Sequence, residues 1–120
     1  MLRELAEVRQ DPGEPRRRWF ADDYFDLIVW FGKREEIIGF QLCYDKEGEE
    51  HALTWRRSMG FSHHRVEDGE LKRPYKATPI LISDGPVNYP NIVHLFKERS
   101  SKMDKKVARF VLVKLSEPPT

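Results

Sequence analysis

The chain has one cysteine, Cys43, so no intramolecular disulfide can brace it, and a reducing compartment is the expected setting. It has no apolar run near the roughly 20 residues that a membrane-spanning helix needs. Its N-terminal stretch carries Arg3, Glu4 and Glu7 among few apolar residues, which does not read as a secretion signal. A cytoplasmic location without membrane attachment follows as the expectation. Charge of one sign is also missing, because 21 basic and 20 acidic residues leave a net charge of +1. That balance argues against a nucleic-acid binder that works mainly through its overall field. There is no His-x-x-x-His, no paired-cysteine spacing, no internal repeat and no low-complexity segment.

What is present suits one domain covering residues 1–120, with 39% hydrophobic and 34% charged residues. Leu2, Leu5, Ala6 and Arg9 have helical spacing, so the N-terminal segment (1–15) is expected to open with a short helix that stops at Asp11-Pro12-Gly13-Glu14-Pro15. A sheet is expected over 16–83. Its strands are Arg16–Phe20, Phe25–Phe31, Ile37–Tyr44, His51–Arg56 and Phe61–Val66, with a further short segment at Pro79–Ser83. Gly32–Glu36 and Lys46–Glu49 read as hairpin loops, and Asp68-Gly69 as a turn.

Register can be proposed, because a slip of one residue exchanges the two faces of a strand. Opposing Phe31 to Ile38, Val29 to Phe40, Leu27 to Leu42 and Phe25 to Tyr44 puts eight apolar or aromatic side chains on one face. Setting Asp45 against Glu50 extends that face with Leu53 and Trp55. Over 90–117 the period becomes helical. Ile92, Leu95, Phe96 and Arg99 follow Pro90, Ser100-Ser101 would end that helix and cap the next, and Met103, Val107, Phe110, Val111 and Lys114 form a second stripe. The fold class is therefore α+β: an antiparallel meander of four or five strands with two C-terminal helices packed on one face.

The opposite face would carry Asp26, Ile28, Trp30, Gln41, Cys43, Ala52, Thr54 and Arg56, with Arg18 near Asp26. Its mixed character suits a partner chain, a small molecule or water. Beside it lies the run Phe61-Ser62-His63-His64-Arg65-Val66-Glu67-Asp68-Gly69-Glu70, the densest collection of reactive side chains in the chain.

Several of these phrases occur together in a recognisable order: Arg17-Arg18-Trp19-Phe20, Asp26–Trp30, Gly39–Asp45, Leu53-Thr54-Trp55, Gly60–Val66 and Phe110–Leu115. In that order the chain resembles a group of short, uncharacterised bacterial proteins. The resemblance implies no activity, substrate or cofactor, and no functional residue is carried over from it.

The residues offer materials for four chemistries. A metal site could use His63 or His64 with Glu67, Asp68, Glu70 or His51, but adjacent histidines on a strand point to opposite faces and would not share an ion. Acid–base catalysis could use a histidine beside a carboxylate, with Arg56 or Arg65 holding an anionic group; Cys43 as a nucleophile is disfavoured because it sits mid-sheet opposite Ala52. Arg16–Phe20 and Lys72–Lys76 interleave basic and aromatic residues, yet no nucleic-acid-binding motif is present. An interaction surface remains, with Trp30 as anchor and a polar rim, or with Trp30 covered by Met1–Arg9 instead. The expectation is a binding or assembly protein without catalytic activity, holding no cofactor or metal, with an enzyme or metal protein built on His63 and His64 as the alternative. Its candidate surface is Asp26, Trp30, Gln41, Thr54, Arg56, His63, His64 and Arg65. Self-association through the mixed face is the first partner to test; a small-molecule ligand is a second, and nucleic acid is not expected.

Overall fold

In the computed structural model, residues 1–46, 48, 50–65 and 87–117 are described. They form a six-stranded antiparallel sheet with the strands in chain order, followed by two helices. The strands are β1 (Arg3–Glu4), β2 (Arg16–Ala21), β3 (Asp26–Phe31), β4 (Ile37–Tyr44), β5 (His51–Arg56) and β6 (Gly60–Arg65). The helices are α1 (Tyr89–Arg99) and α2 (Lys105–Ser116). The α+β class and the helical reading of the C-terminal part hold, with one strand more than the meander of four or five. The Pro79–Ser83 segment and the Asp68-Gly69 turn lie outside the described residues.

The extra strand comes from the N-terminal segment, where a short helix was expected. Arg3 pairs with Ala21 and Glu4 with Phe20. Leu2 is fully buried, and its N–H donates to the Arg99 carbonyl (2.9 Å). Leu5 stays exposed, and Glu7 takes a positive φ of 56° that no helix tolerates. The apolar spacing of Leu2, Leu5 and Ala6 thus misled: only Leu2 is used by the core, and edge pairing with β2 outweighs a single turn of helix.

Leu27 pairs with Leu42 and Val29 with Phe40, and across the next hairpin Leu42 pairs with Leu53 and Phe40 with Trp55, as the alternation required. The end of the first hairpin differs. Phe31 opposes Ile37, not Ile38, because a bulge between Trp30 and Phe31 places the extra residue of β4 there. The turn beyond it is closed by the Gly32 N–H on the Glu36 carbonyl (2.8 Å).

Leu27, Val29, Phe40, Leu42 and Leu53 form one core with Ile92 and Phe96 of α1 and Val107, Val111 and Leu115 of α2. Phe25 meets Phe96 edge to face at 5.8 Å, and Trp55 meets Phe110 at 5.4 Å. Asn88 caps α1, its side chain accepting from the Asn91 N–H. The cap of α2 is Asp104, which accepts from the amides of Lys106 and Val107; Ser101, the expected cap, precedes the helix by too many residues.

Two arginines fasten the edges of this assembly. Arg18 faces the helices, not Asp26 as expected, since its register partner is Val29. It donates to Glu4 of β1 (2.6 and 2.8 Å) and to the Asp104 cap (3.2 Å). Arg99, at the end of α1, donates to Asp22 (3.1 Å) and Asp23 (2.8 Å) in the β2–β3 turn. The Arg18 hydrogen bond holds the Glu4 carboxyl below the usual carboxylate range, against the effect of burial. Burial works to raise the Asp104 carboxyl, but the Val107 amide, Arg18 and the Lys106 amide together bring it below that range.

Depressed carboxyl pKa values stabilise the fold at neutral pH, and that contribution is lost as pH falls through them. Arg18→Gln should therefore cost about 1 kcal/mol near pH 7, the scale of partly exposed pairs. Urea titrations over a range of pH should show the difference from wild type shrinking as the solution is acidified. A difference independent of pH would contradict this role for Arg18.

Candidate functional site

The central strands of the sheet are buried on both faces. All six residues of β3 are buried, so a strand whose alternate side chains meet the helices also has its other side covered. The face turned away from the helices is built in straight rows across the strands. One row runs Ala21, Asp26, Cys43, Ala52, His64. The next runs Trp19, Ile28, Gln41, Thr54, Ser62, and a third runs Arg17, Trp30, Gly39, Arg56, Gly60.

Six of the eight candidate-surface residues share this face: Asp26, Trp30, Gln41, Thr54, Arg56 and His64. The other two, His63 and Arg65, are on the helix side, because they pair with Leu53 and His51. The face is less open than its composition suggested. Trp30 is 2% exposed, Thr54 and His64 5%, Gln41 6% and Asp26 8%.

Asp26 anchors one corner. Its Oδ1 accepts from the Trp19 indole N–H (3.1 Å) and from Lys46 Nζ (3.3 Å), and Lys46 also donates to the Asp22 carbonyl (2.9 Å). Glu50 lies in the same electrostatic neighbourhood. Burial and the nearby Asp26 charge push its carboxyl above the usual range, with Lys46 opposing, and its Oε2 is buried without a hydrogen-bond partner. Cys43 is fully buried between Asp26 and Ala52 in its row. Burial, then the charges of Glu50 and Asp26, push its thiol well up, so it stays a protonated packing group and not a nucleophile.

Trp19, Lys46 and Glu50 belong to this site but were missed in the sequence. Trp19 was hidden by the expectation that Arg18 turns toward Asp26, which puts Trp19 on the helix side; the register instead sets Trp19 opposite Ile28 on the far face. Lys46 and Glu50 had no readable signal, because they sit in a polar hairpin whose composition says only that it turns. Along the same side of β2, residues Leu5–Arg9 and Asp11 form an open groove of about 510 Å³ with Arg17 and Trp19.

A second cluster lies on the helix side, at the ends of β4, β5 and β6. The Tyr44 hydroxyl is 2.6 Å from His63 Nε2. The Tyr44 and His63 rings stack within 9° of parallel, and His51 stacks on both, at 5.2 Å from Tyr44 and 5.6 Å from His63. This geometry spends the ring faces on packing, and His64 is on the opposite side of the sheet. Among the described residues, no three His, Cys, Asp or Glu side chains group as metal ligands. Glu67, Asp68 and Glu70, the carboxylates considered beside the histidines, lie outside the described residues.

The basic-aromatic run at Arg16–Phe20 is committed internally. Arg16 pairs with Glu35, Arg17 Nε donates to the Arg9 carbonyl (2.8 Å), and Arg18 is held as described. Lys72–Lys76 lies outside the described residues. Among the described residues no helix is long and apolar enough to cross a membrane.

The raised Glu50 pKa carries a definite sign. Its folded form favours the proton, so the contribution is present at low pH and lost as pH rises through the folded value. Glu50→Gln, neutral throughout, should be more stable than wild type near pH 7, with the gain disappearing near pH 4. Thermal unfolding at the two pH values checks this, and a variant less stable at neutral pH would contradict it.

Comparison of the chain with protein-family models, with curated proteins and with solved structures gave no match in any of the three.

Proposed function

We propose that this chain is a small cytoplasmic binding protein without a catalytic step, and that it holds a small polar molecule against the sheet face turned away from the helices. One observation carries the reading. Asp26, Gln41, Thr54 and His64 are buried polar side chains gathered in two neighbouring rows of that single face. A sheet that needed only packing there would use apolar residues, since a buried polar group costs free energy unless something bonds to it. No described residue hydrogen-bonds the Gln41 amide or the Thr54 hydroxyl, and neither is among the side-chain atoms buried without a partner, so both tips stay within reach of water or a ligand. A ligand with its own donors and acceptors would satisfy this pair, with Ile28 and Trp30 as apolar walls. The groove beside Trp19 gives the ligand an approach along β2.

Several observations favour binding over chemistry. The one thiol is kept protonated, His63 is bonded to a phenol, and His63 and His64 are separated by the sheet. Trp30 is already covered within one chain, so ligand binding takes precedence over self-association through this face. The alternative, an enzyme or metal protein using His63 or His64 with neighbouring carboxylates, has the Tyr44–His63 contact as its support among the described residues.

Thermal-shift measurements with amino acids, sugars, nucleobases and dicarboxylates, each as a separate probe, test the proposal. One class should raise the Tm of the wild type by several degrees, since a ligand at a hundred times its Kd adds about 3 kcal/mol. Gln41→Leu with Thr54→Val should abolish that shift while leaving the free protein as stable as wild type or more so. A double variant destabilised by about 2 kcal/mol or more would assign both groups to structure instead and overturn the reading.

A further inference from the structure

The outer face of α2 has a feature that its own stability does not explain. Lys105, Lys106 and Arg109 on its first two turns, and Lys102 in the turn before the helix, are all exposed. None of their side chains has an ion-pair or hydrogen-bond partner among the described residues. The carboxylate nearest in sequence, Asp104, is occupied by the helix cap and by Arg18. Elsewhere in the chain, Arg9, Arg16, Arg17, Arg18, Arg57 and Arg99 each have a carboxylate within 4 Å.

Two further facts make the arrangement costly to the helix. Lys105 and Lys106 stand in its first turn, where the macrodipole favours anions, and no acidic residue is present in that turn. Lys105 and Arg109 are like charges at i and i+4, which repel on a helix surface. Local stability would be served by acids at these positions, so the cations are better explained by something outside the chain.

We propose that this face of α2 docks an acidic segment of a partner protein. The stripe continues one turn beyond Arg109 to Val113, which is 46% exposed. Cations followed by an aliphatic side chain complement a segment that carries carboxylates at helical spacing and an apolar residue beyond them. A nucleic acid fits less well. The aromatic ring on this helix, Phe110, is turned inward against Trp55, so no stacking platform faces outward for bases.

The test is fluorescence anisotropy on the whole chain with two probes. One is a labelled helical peptide with glutamates at i and i+4 and a leucine beyond them; the other is an oligothymidine of similar length. The peptide should bind, more tightly than the oligonucleotide, and should weaken as salt rises from about 50 to about 200 mM. Lys105→Glu with Arg109→Glu should weaken peptide binding by about tenfold or more. The same variant should unfold at the same temperature as wild type or higher, because the exchange agrees with the helix dipole. Lys33→Glu with Arg34→Glu, an equal charge change on the exposed β3–β4 hairpin, should leave binding intact. The proposal is overturned if the peptide does not bind, if the oligonucleotide binds more tightly, or if the hairpin variant loses binding equally. It is also overturned if the α2 variant loses stability along with binding, since the cations would then be structural.

Discussion

Everything in this fold depends on a sheet whose central strands are buried on both sides. Strand alternation sends Leu27, Val29, Phe40, Leu42 and Leu53 to the helices, and the same alternation obliges Asp26, Ile28, Trp30, Gln41 and Thr54 to share the other face. Neither set can change register without carrying the other with it. The helix-side face is apolar through its centre and closes around α1 and α2. The far face contains polar groups at buried positions, and that contrast within one sheet is the physical basis for assigning it the functional role.

The charged residues divide in the same way. Arg18 and Arg99 tie the first strands to the ends of the helices, and their carboxylate partners sit at turns and caps where a guanidinium satisfies several oxygens at once. Asp26, Lys46 and Glu50 form a separate group on the far face, with the Trp19 indole as a neutral donor. The exposed cations of α2 belong to neither group, which separates the proposed docking face from the proposed ligand face both in space and in chemistry.

Much of the architecture was legible because period-two alternation is strict where one face is apolar. Leu27, Leu42 and Leu53 fall in one row, and Val29, Phe40 and Trp55 in the next, as their spacing demanded. The bulge was not legible, because Ile37 and Ile38 are equally apolar and either could oppose Phe31. The N-terminal strand was hidden for a related reason, since a two-residue pairing leaves no periodic trace and Leu2, Leu5 and Ala6 imitate a helix. For the site, the strand residues could be assigned to a face in advance. The separation of His63 from His64 also followed from strand geometry. The extent of burial on that face did not, because burial depends on what covers it and not on the strand's own pattern. The unbroken apolar run from Leu27 to Phe31 was nonetheless the mark of a strand covered on both sides.

The central claim is that the polar pair at the middle of the far face is kept for something other than the chain itself. Proton exchange of the Gln41 side-chain amide, followed by NMR in the ligand-free protein, addresses it directly. The account predicts an amide that exchanges readily with water and shifts when a ligand binds. An amide strongly protected in the free protein, held by an acceptor of the chain, would contradict it.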